Sequence, residues 1–178
     1  MSIKINPVIP KLGLRYGLVG GFFLLVVFLT FHLIGTLPGA FVTMIANLIV
    51  LTVFIFISLK DFKDNHNGGQ FRFYHGMSIG VTSLIVMSLF FGLLYAIYTG
   101  LIEPDYLTDK IAYLTEDLST QLASETDLTK KEVLVKQLDG LTETTFSIDI
   151  LSETIKRVAF GYLLVPIFSI VLRTRQQS

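Results

Sequence analysis

The histidines and carboxylates of one polar stretch are the residues with the clearest capacity for chemistry. His66 and His75 lie close in sequence to Asp61 and Asp64, and imidazole and carboxylate groups are common metal ligands. Their spacing matches neither a pair of ligands on one helix face nor a closed Cys/His knot, and the chain has no cysteine. It also has no G-x-S-x-G, H-E-x-x-H or glycine-rich phosphate loop. We therefore predict no metal, no cofactor and no enzymatic activity.

His32 and Asn47 are polar residues inside apolar segments, where such groups often mark ion or proton pathways. Each stands alone in its segment. His32 is predicted near the outer end of its helix, where it reaches water or headgroups, and Asn47 is predicted to bond a neighbouring helix. No Asp or Glu falls within the uncharged core of a predicted span, which counts against a proton-coupled transporter. Structural roles are thus favoured for both residues, with a pathway role as the alternative.

The elements that position these residues are predicted from composition and length. The 178 residues are 52% hydrophobic with a mean hydropathy of +0.65, more apolar surface than so short a soluble chain can bury. Segments of about 20 apolar residues span a bilayer as helices, which satisfy their own backbone groups. We predict an all-α integral membrane protein with four transmembrane helices, at about residues 12–35, 40–59, 74–102 and 146–173. A cytoplasmic loop at 60–73 joins the second and third helices, and an extracytoplasmic insert at 103–145 joins the third and fourth. Cytoplasmic tails are predicted at 1–11 and 174–178.

The insert between the third and fourth spans is predicted to be a short helical hairpin. Its apolar residues repeat at helical spacing in two stripes, Leu107, Ile111, Leu114, Leu118 and Leu122, then Leu134, Leu138 and Leu141. Thr129 and Glu132 have the spacing of a capping box at the start of the second helix. From Glu103 to Glu153 there are twelve acids and four bases, a net charge of −8. This charge predicts a solvated lobe, with docking of a basic partner or loose binding of divalent cations as the alternative.

The fourth span has an uncharged core of only fifteen residues, Val158 to Leu172. Either Lys156 and Arg157 extend toward the interface, or this part of the helix faces its neighbours instead of lipid. Pro166 is predicted to kink the helix.

Basic residues near the span ends predict the orientation. Positive charge in short loops stays in the cytoplasm, so both termini are predicted to be cytoplasmic. The residues that carry this prediction are Lys60, Lys63, Arg72, Arg173 and Arg175.

Small residues at four-residue spacing form two ridges on the first and third spans. Such ridges let helix backbones approach closely in a membrane. They predict one tight helix pair within the monomer, with a homodimer face as the alternative. The ridges are Gly13, Gly17 and Gly21, and Ser88, Gly92, Ala96 and Gly100.

The polar loop and the end of the third span also carry a family resemblance. The features are Asn67-Gly68-Gly69, Phe71, Phe73 and Gly80, then Ala96-Ile97-Tyr98 and Ile102-Glu103-Pro104-Asp105-Tyr106. In these features the chain resembles, over nearly its whole length, the bacterial membrane family called domain of unknown function 4199 (DUF4199). The resemblance implies an inner-membrane protein of Bacteroidetes-type bacteria with about four spans and a polar insert before the last. It implies no activity and no functional residues.

Two functions remain open from the sequence. The first is a non-enzymatic interaction or assembly module whose acidic lobe binds a membrane or periplasmic protein. The alternative is a small transporter or channel subunit acting as a homo-oligomer, with a pathway lined by the glycine ridges and His32. The lipid bilayer is a predicted partner, and nucleic acid is not, because the basic residues are scattered around helix ends.

Overall fold

The computed structural model describes residues 7–36 and 41–174, and all the regular structure within them is helical. The α-helices are α1 Val8–Leu33, α2 Phe41–Asp61, α3 Phe73–Ile97, α4 Tyr106–Ser124, α5 Leu128–Thr142 and α6 Phe146–Val171. Two five-residue π-helices, Phe62–His66 and Tyr98–Ile102, continue α2 and α3.

Four of these helical segments are long and apolar enough to cross a membrane. They are Val8–Leu33, Phe41–His66, Phe73–Ile102 and Phe146–Val171. The prediction of an all-α, multi-pass membrane protein is therefore confirmed. Pro166 lies inside α6, which is assigned as one continuous helix.

The helices extend beyond two of the predicted boundaries. α1 begins at Val8, inside the predicted tail, and Pro10 fits there because the first turn of a helix does not use its N–H groups. α2 and its π-helical extension run to His66 and take up half of the predicted 60–73 loop. Asn65 Nδ2 donates to Asp61 Oδ1 at 2.6 Å, one turn earlier, which stabilises this polar end of the helix.

The described residues form two compact units. Unit 1 contains the described residues up to Leu94 and from Glu153 onward. Within it, α3 contacts α1 through Thr82 and Val86, and α6 through Leu84. Its core is fully buried and includes Leu24, Leu51, Ile55, Ile79, Met87 and Val165.

One end of unit 1 is closed by hydrogen bonds between the loop before α3 and the residues after α6. Thr174 N donates to Phe71 O, and Phe71 N donates to Thr174 Oγ1, each at 2.9 Å. The Thr174 hydroxyl donates in turn to Gly69 O at 2.9 Å. Gly69 has a φ of +77°, a conformation that glycine adopts without steric cost.

Unit 2 is Tyr95–Ser152, and its main feature is the packing of α4 against α5. The residues of the two predicted stripes are all half-buried. The predicted cap was wrong. Asp127, not Thr129, caps α5, because its side chain accepts from Thr129 N and Lys130 N. Asp127 has the extended backbone conformation typical of this position.

Candidate functional site

A buried carboxylate with two donors is the most constrained polar site of unit 2. Tyr95 Oη donates to Asp149 Oδ2 at 2.6 Å, and Lys110 Nζ donates to Asp149 Oδ1 at 2.8 Å. Asp149 is 7% exposed and Tyr95 1%, and the Lys110 side chain is 11% exposed. A buried charge is stable only when it is paired and hydrogen-bonded, and each oxygen of this carboxylate has its own donor.

Three helices position these groups. Tyr95 lies near the end of α3, Lys110 near the start of α4, and Asp149 in the first turn of α6. A helix N-terminus favours a negative charge, so the location of Asp149 adds to its stabilisation. The Tyr95 ring also packs edge-on against Tyr106 at 6.0 Å between centroids. The cluster therefore fastens α4 to the start of α6.

A second buried charge lies in unit 1. Arg157 on α6 is 8% exposed, and its guanidinium carbon lies 3.7 Å from the centroid of the Phe91 ring. Arg157 Nη1 donates to Glu153 Oε2 at 2.9 Å and to Glu153 O at 2.7 Å. Arg157 therefore faces α3 and does not extend toward the membrane interface. This is the second of the two alternatives given for the short fourth span. The neighbouring Lys156 keeps an exposed side chain.

The α1 glycine ridge packs on α3. A Cβ atom on Gly13 would lie 2.6 Å from Thr82 Cγ2, one on Gly17 2.6 Å from Val86 Cβ, and one on Gly21 2.8 Å from Met87 O. Real Cβ atoms do not approach so closely, so these positions accept only glycine without displacement of α3.

The α3 ridge does not meet the α1 ridge. Gly92 contacts Thr154 of α6 within unit 1, and Gly100 contacts Phe146 within unit 2. Ser88 is fully buried and Ala96 half-buried. The two ridges thus have different partners. The α1 glycines pack on Thr82, Val86 and Met87 of α3, and the α3 glycines pack on Thr154 and Phe146.

The polar residues singled out within the spans make local contacts. The His32 ring is half-buried and stacks on Phe28 at 5.9 Å with an interplanar angle of 4°. Asn47 Nδ2 donates to Thr43 O of its own helix at 2.9 Å. The predicted bond from Asn47 to a neighbouring helix is replaced by this bond within α2.

The polar stretch after α2 does not assemble a metal centre from its described residues. His66 Nε2 lies 3.9 Å from Asp61 Oδ2, and the same carboxylate accepts from Tyr16 Oη at 3.0 Å. The His75 ring instead packs at 5.0 Å from Phe62 and 4.2 Å from Tyr74. Across residues 7–36 and 41–174, no three His, Asp or Glu side chains converge as ligands would.

Comparison with known families adds one finding. The family described as "Protein of unknown function (DUF4199)" matches residues 15–174, most of the chain. The chain belongs to this family. No curated protein and no solved structure matches it.

In this DUF4199 protein, the basic residues used for the orientation lie at helix ends or in short connections. Lys60, Arg72 and Arg173 are exposed and Lys63 is half-buried. Arg175 lies outside the described residues.

Sequence reasoning missed both buried charge sites of the DUF4199 chain. Asp149, Glu153 and Arg157 follow one another at four-residue spacing in the helix that forms the fourth span. That spacing places them on one face, and charges on one face of an apolar helix indicate a buried polar contact. No pattern indicated the partners Tyr95 and Lys110, because they come from other helices.

Proposed function

We propose that this DUF4199 protein is a non-enzymatic interaction or assembly module of a bacterial inner membrane. In this proposal both termini are cytoplasmic, and α4 and α5 form an extracytoplasmic docking lobe for a membrane or periplasmic protein. The proposal rests on one observation about unit 2. Its first helix is held firmly by a buried ion pair, while its second helix buries no residue.

The fixed side of the lobe is α4. Lys110 ties it to Asp149 of α6, and Tyr106 at its start is 8% exposed. Because α4 is held at this point within unit 2, less conformational entropy is lost when a partner binds the lobe.

The presented side is α5. None of its residues is buried, and Leu128, Val133 and Val135 are 83%, 51% and 43% exposed. When a partner protein covers an exposed apolar side chain, apolar surface is removed from water, and this transfer is favourable. These residues support a role in binding another protein.

A transporter or channel subunit is the second candidate, favoured by the buried Arg157 and its half-buried partner Glu153 in a helix of spanning length. The glycine contacts weigh against it. α3 occupies the space beside Gly13, Gly17 and Gly21. The α1 ridge is therefore not free to line a pathway. The interaction module is therefore the better supported proposal.

The test is affinity purification of the tagged full chain from its native membrane, with identification of proteins that copurify in stoichiometric amount. One variant neutralises four acids of the lobe, Asp109→Asn, Glu116→Gln, Asp139→Asn and Glu143→Gln. The matched control changes the span residues, His32→Phe and Asn47→Leu. We expect the partner to be lost from the lobe variant and kept by the span variant. The reverse pattern, or the absence of any stoichiometric partner, overturns the proposal.

A further inference from the structure

Two helices of unit 1, α3 and α6, pack against each other in a regular antiparallel register. A step of four residues forward along α3 corresponds to a step of about four residues back along α6. The contacts that define this register are Gly76 with Ser169, Gly80 with Val165, Leu84 with Gly161, and Gly92 with Thr154. Ser88 is the remaining position of the series on α3. The register places Ser88 beside Arg157.

The side chain of Arg157 reaches the same part of α3. Its guanidinium carbon lies 3.7 Å from the centroid of the Phe91 ring. Phe91 follows Ser88 by three residues, and residues three apart are neighbours on a helix surface. The contact with Phe91 and the helix register therefore agree that Arg157 lies at the level of Ser88.

Both residues carry a buried polar atom that the protein leaves unpaired. Ser88 Oγ and Arg157 Nε have no hydrogen-bond partner among the described residues. Ser88 is fully buried and Arg157 is 8% exposed. Glu153 takes up Nη1 of the same guanidinium but not Nε. Buried polar groups are bonded either to protein or to ordered water, because an unpaired one is costly.

The charge at this level favours a neutral partner for these two atoms. Arg157 Nη1 lies 2.9 Å from Glu153 Oε2, so the guanidinium already has a carboxylate beside it. Arg157 lies about 17 Å along α6 from Phe146, in a helix long enough to span a membrane. A second anion there would add a buried negative charge, which is costly. Water is neutral and both donates and accepts hydrogen bonds.

We propose that one water molecule bridges Arg157 and Ser88 between α3 and α6. Its oxygen accepts a hydrogen bond from Arg157 Nε, and one of its O–H groups donates to Ser88 Oγ. A buried water makes about two to four hydrogen bonds to polar groups that would otherwise be unsatisfied, and these two atoms supply them. The bridge adds a polar link to a helix contact made mostly by glycines. It concerns unit 1 alone and does not depend on the proposed function.

Hydroxyl-radical labelling by X-ray irradiation tests the bridge in the full chain in nanodiscs, with mass spectrometry as the readout. Radicals formed from a bound water modify side chains that bulk water does not reach. Phe91 is the reporter, because it is fully buried and lies against Arg157. Leu51 is equally buried and gives the background, with each rate divided by the intrinsic reactivity of the side chain. We expect Phe91 to be labelled about fivefold faster than this background.

Ser88→Ala is the test variant, since it removes one of the two partners of the water. We expect it to lower the labelling rate of Phe91 about threefold or more. Ser169→Ala is the matched control. Ser169 is an equally buried serine of the same helix contact, but its hydroxyl already donates to Val165 O at 2.7 Å. This control should keep the wild-type rate, and circular dichroism confirms that both variants are folded.

Rapid mixing with water that contains heavy oxygen, just before irradiation, distinguishes a bound water from a path open to bulk water. The label on Phe91 should take up heavy oxygen more slowly than the label on Leu128, which is 83% exposed. Uptake as fast as at Leu128 overturns the inference. Labelling of wild-type Phe91 at the background rate also overturns it, as do equal rates in the Ser88→Ala and Ser169→Ala variants.

Discussion

At the scale of single residues, the ion pair between Lys110 and Asp149 sets the strongest constraint in unit 2. Both side chains are about nine-tenths buried, so removal of one leaves the other unpaired in an apolar environment. We expect Lys110→Met to lower the free energy of unfolding by about 3 kcal/mol. Denaturation with SDS in mixed micelles, followed by circular dichroism, measures this change.

The double variant Lys110→Met with Asp149→Asn is the control. It removes both charges and keeps an acceptor for Tyr95 Oη, so it should be more stable than Lys110→Met alone. If the double variant is less stable than the single one, the ion pair is not the source of the loss.

Close approach of α1 and α3 leads to a second residue-level prediction. A Cβ on Gly17 would lie 2.6 Å from Val86 Cβ and 2.9 Å from the Ser83 carbonyl oxygen, and neither atom moves without the helix. Gly17→Ala should therefore lower the free energy of unfolding by about 1–3 kcal/mol, measured by the same denaturation.

Gly140 gives the matched control, because it lies within α5 and a Cβ on it would have no neighbouring atom within 4 Å. Gly140→Ala should stabilise the protein by up to about 1 kcal/mol through helix propensity. A neutral Gly17→Ala variant would contradict the close packing of α1 on α3.

At the scale of elements, α5 depends on its N-terminal turn because it has no buried residue. Glu125 Oε1 accepts from Asp127 N at 3.1 Å and from Thr126 N at 2.9 Å. These backbone hydrogen bonds lower the pKa of Glu125 below its ordinary value. The hydrogen-bonded turn before α5 is thus linked to pH.

The sign of this linkage follows from the lowered pKa. The contribution of Glu125 is complete above the pKa of the unfolded chain and is lost as the pH falls through the lower pKa of the folded state. We expect faster hydrogen exchange of the first α5 amides, beyond the intrinsic rate change, when the pH falls below the ordinary pKa of glutamate. Glu125→Gln should remove this part of the pH dependence, and an unchanged profile would contradict it.

The elements also show where local patterns were sufficient. The residues of both predicted stripes are half-buried, because helical spacing determines which residues share a face. The N-terminal cap of α5 was predicted wrongly. Thr129 and Glu132 match the spacing of a capping box, but Asp127 has the required position and backbone conformation. The end of α2 was also missed, because a hydrogen bond between Asp61 and Asn65 continues the helix into a polar segment.

At the scale of the whole molecule, the threading across the membrane is the prediction to test. Charge bias favours both termini in the cytoplasm and the lobe on the opposite side. Reporter fusions at Asp127 and Ser178 should give extracytoplasmic activity at the first site and cytoplasmic activity at the second. A cytoplasmic reporter at Asp127 would contradict the proposed orientation and the extracytoplasmic partner.

The sequence by itself determined the class of this protein. Long apolar segments and helical spacing predicted four membrane helices and a separate acidic hairpin, because transfer to lipid and backbone hydrogen bonding depend on each segment alone. Only the tertiary structure decided which helices meet. In that structure the α1 glycines pack against Thr82 and Val86, and Tyr95 and Lys110 donate hydrogen bonds to Asp149. Such contacts depend on the positions of residues far apart in the chain, which periodicity within one segment does not encode.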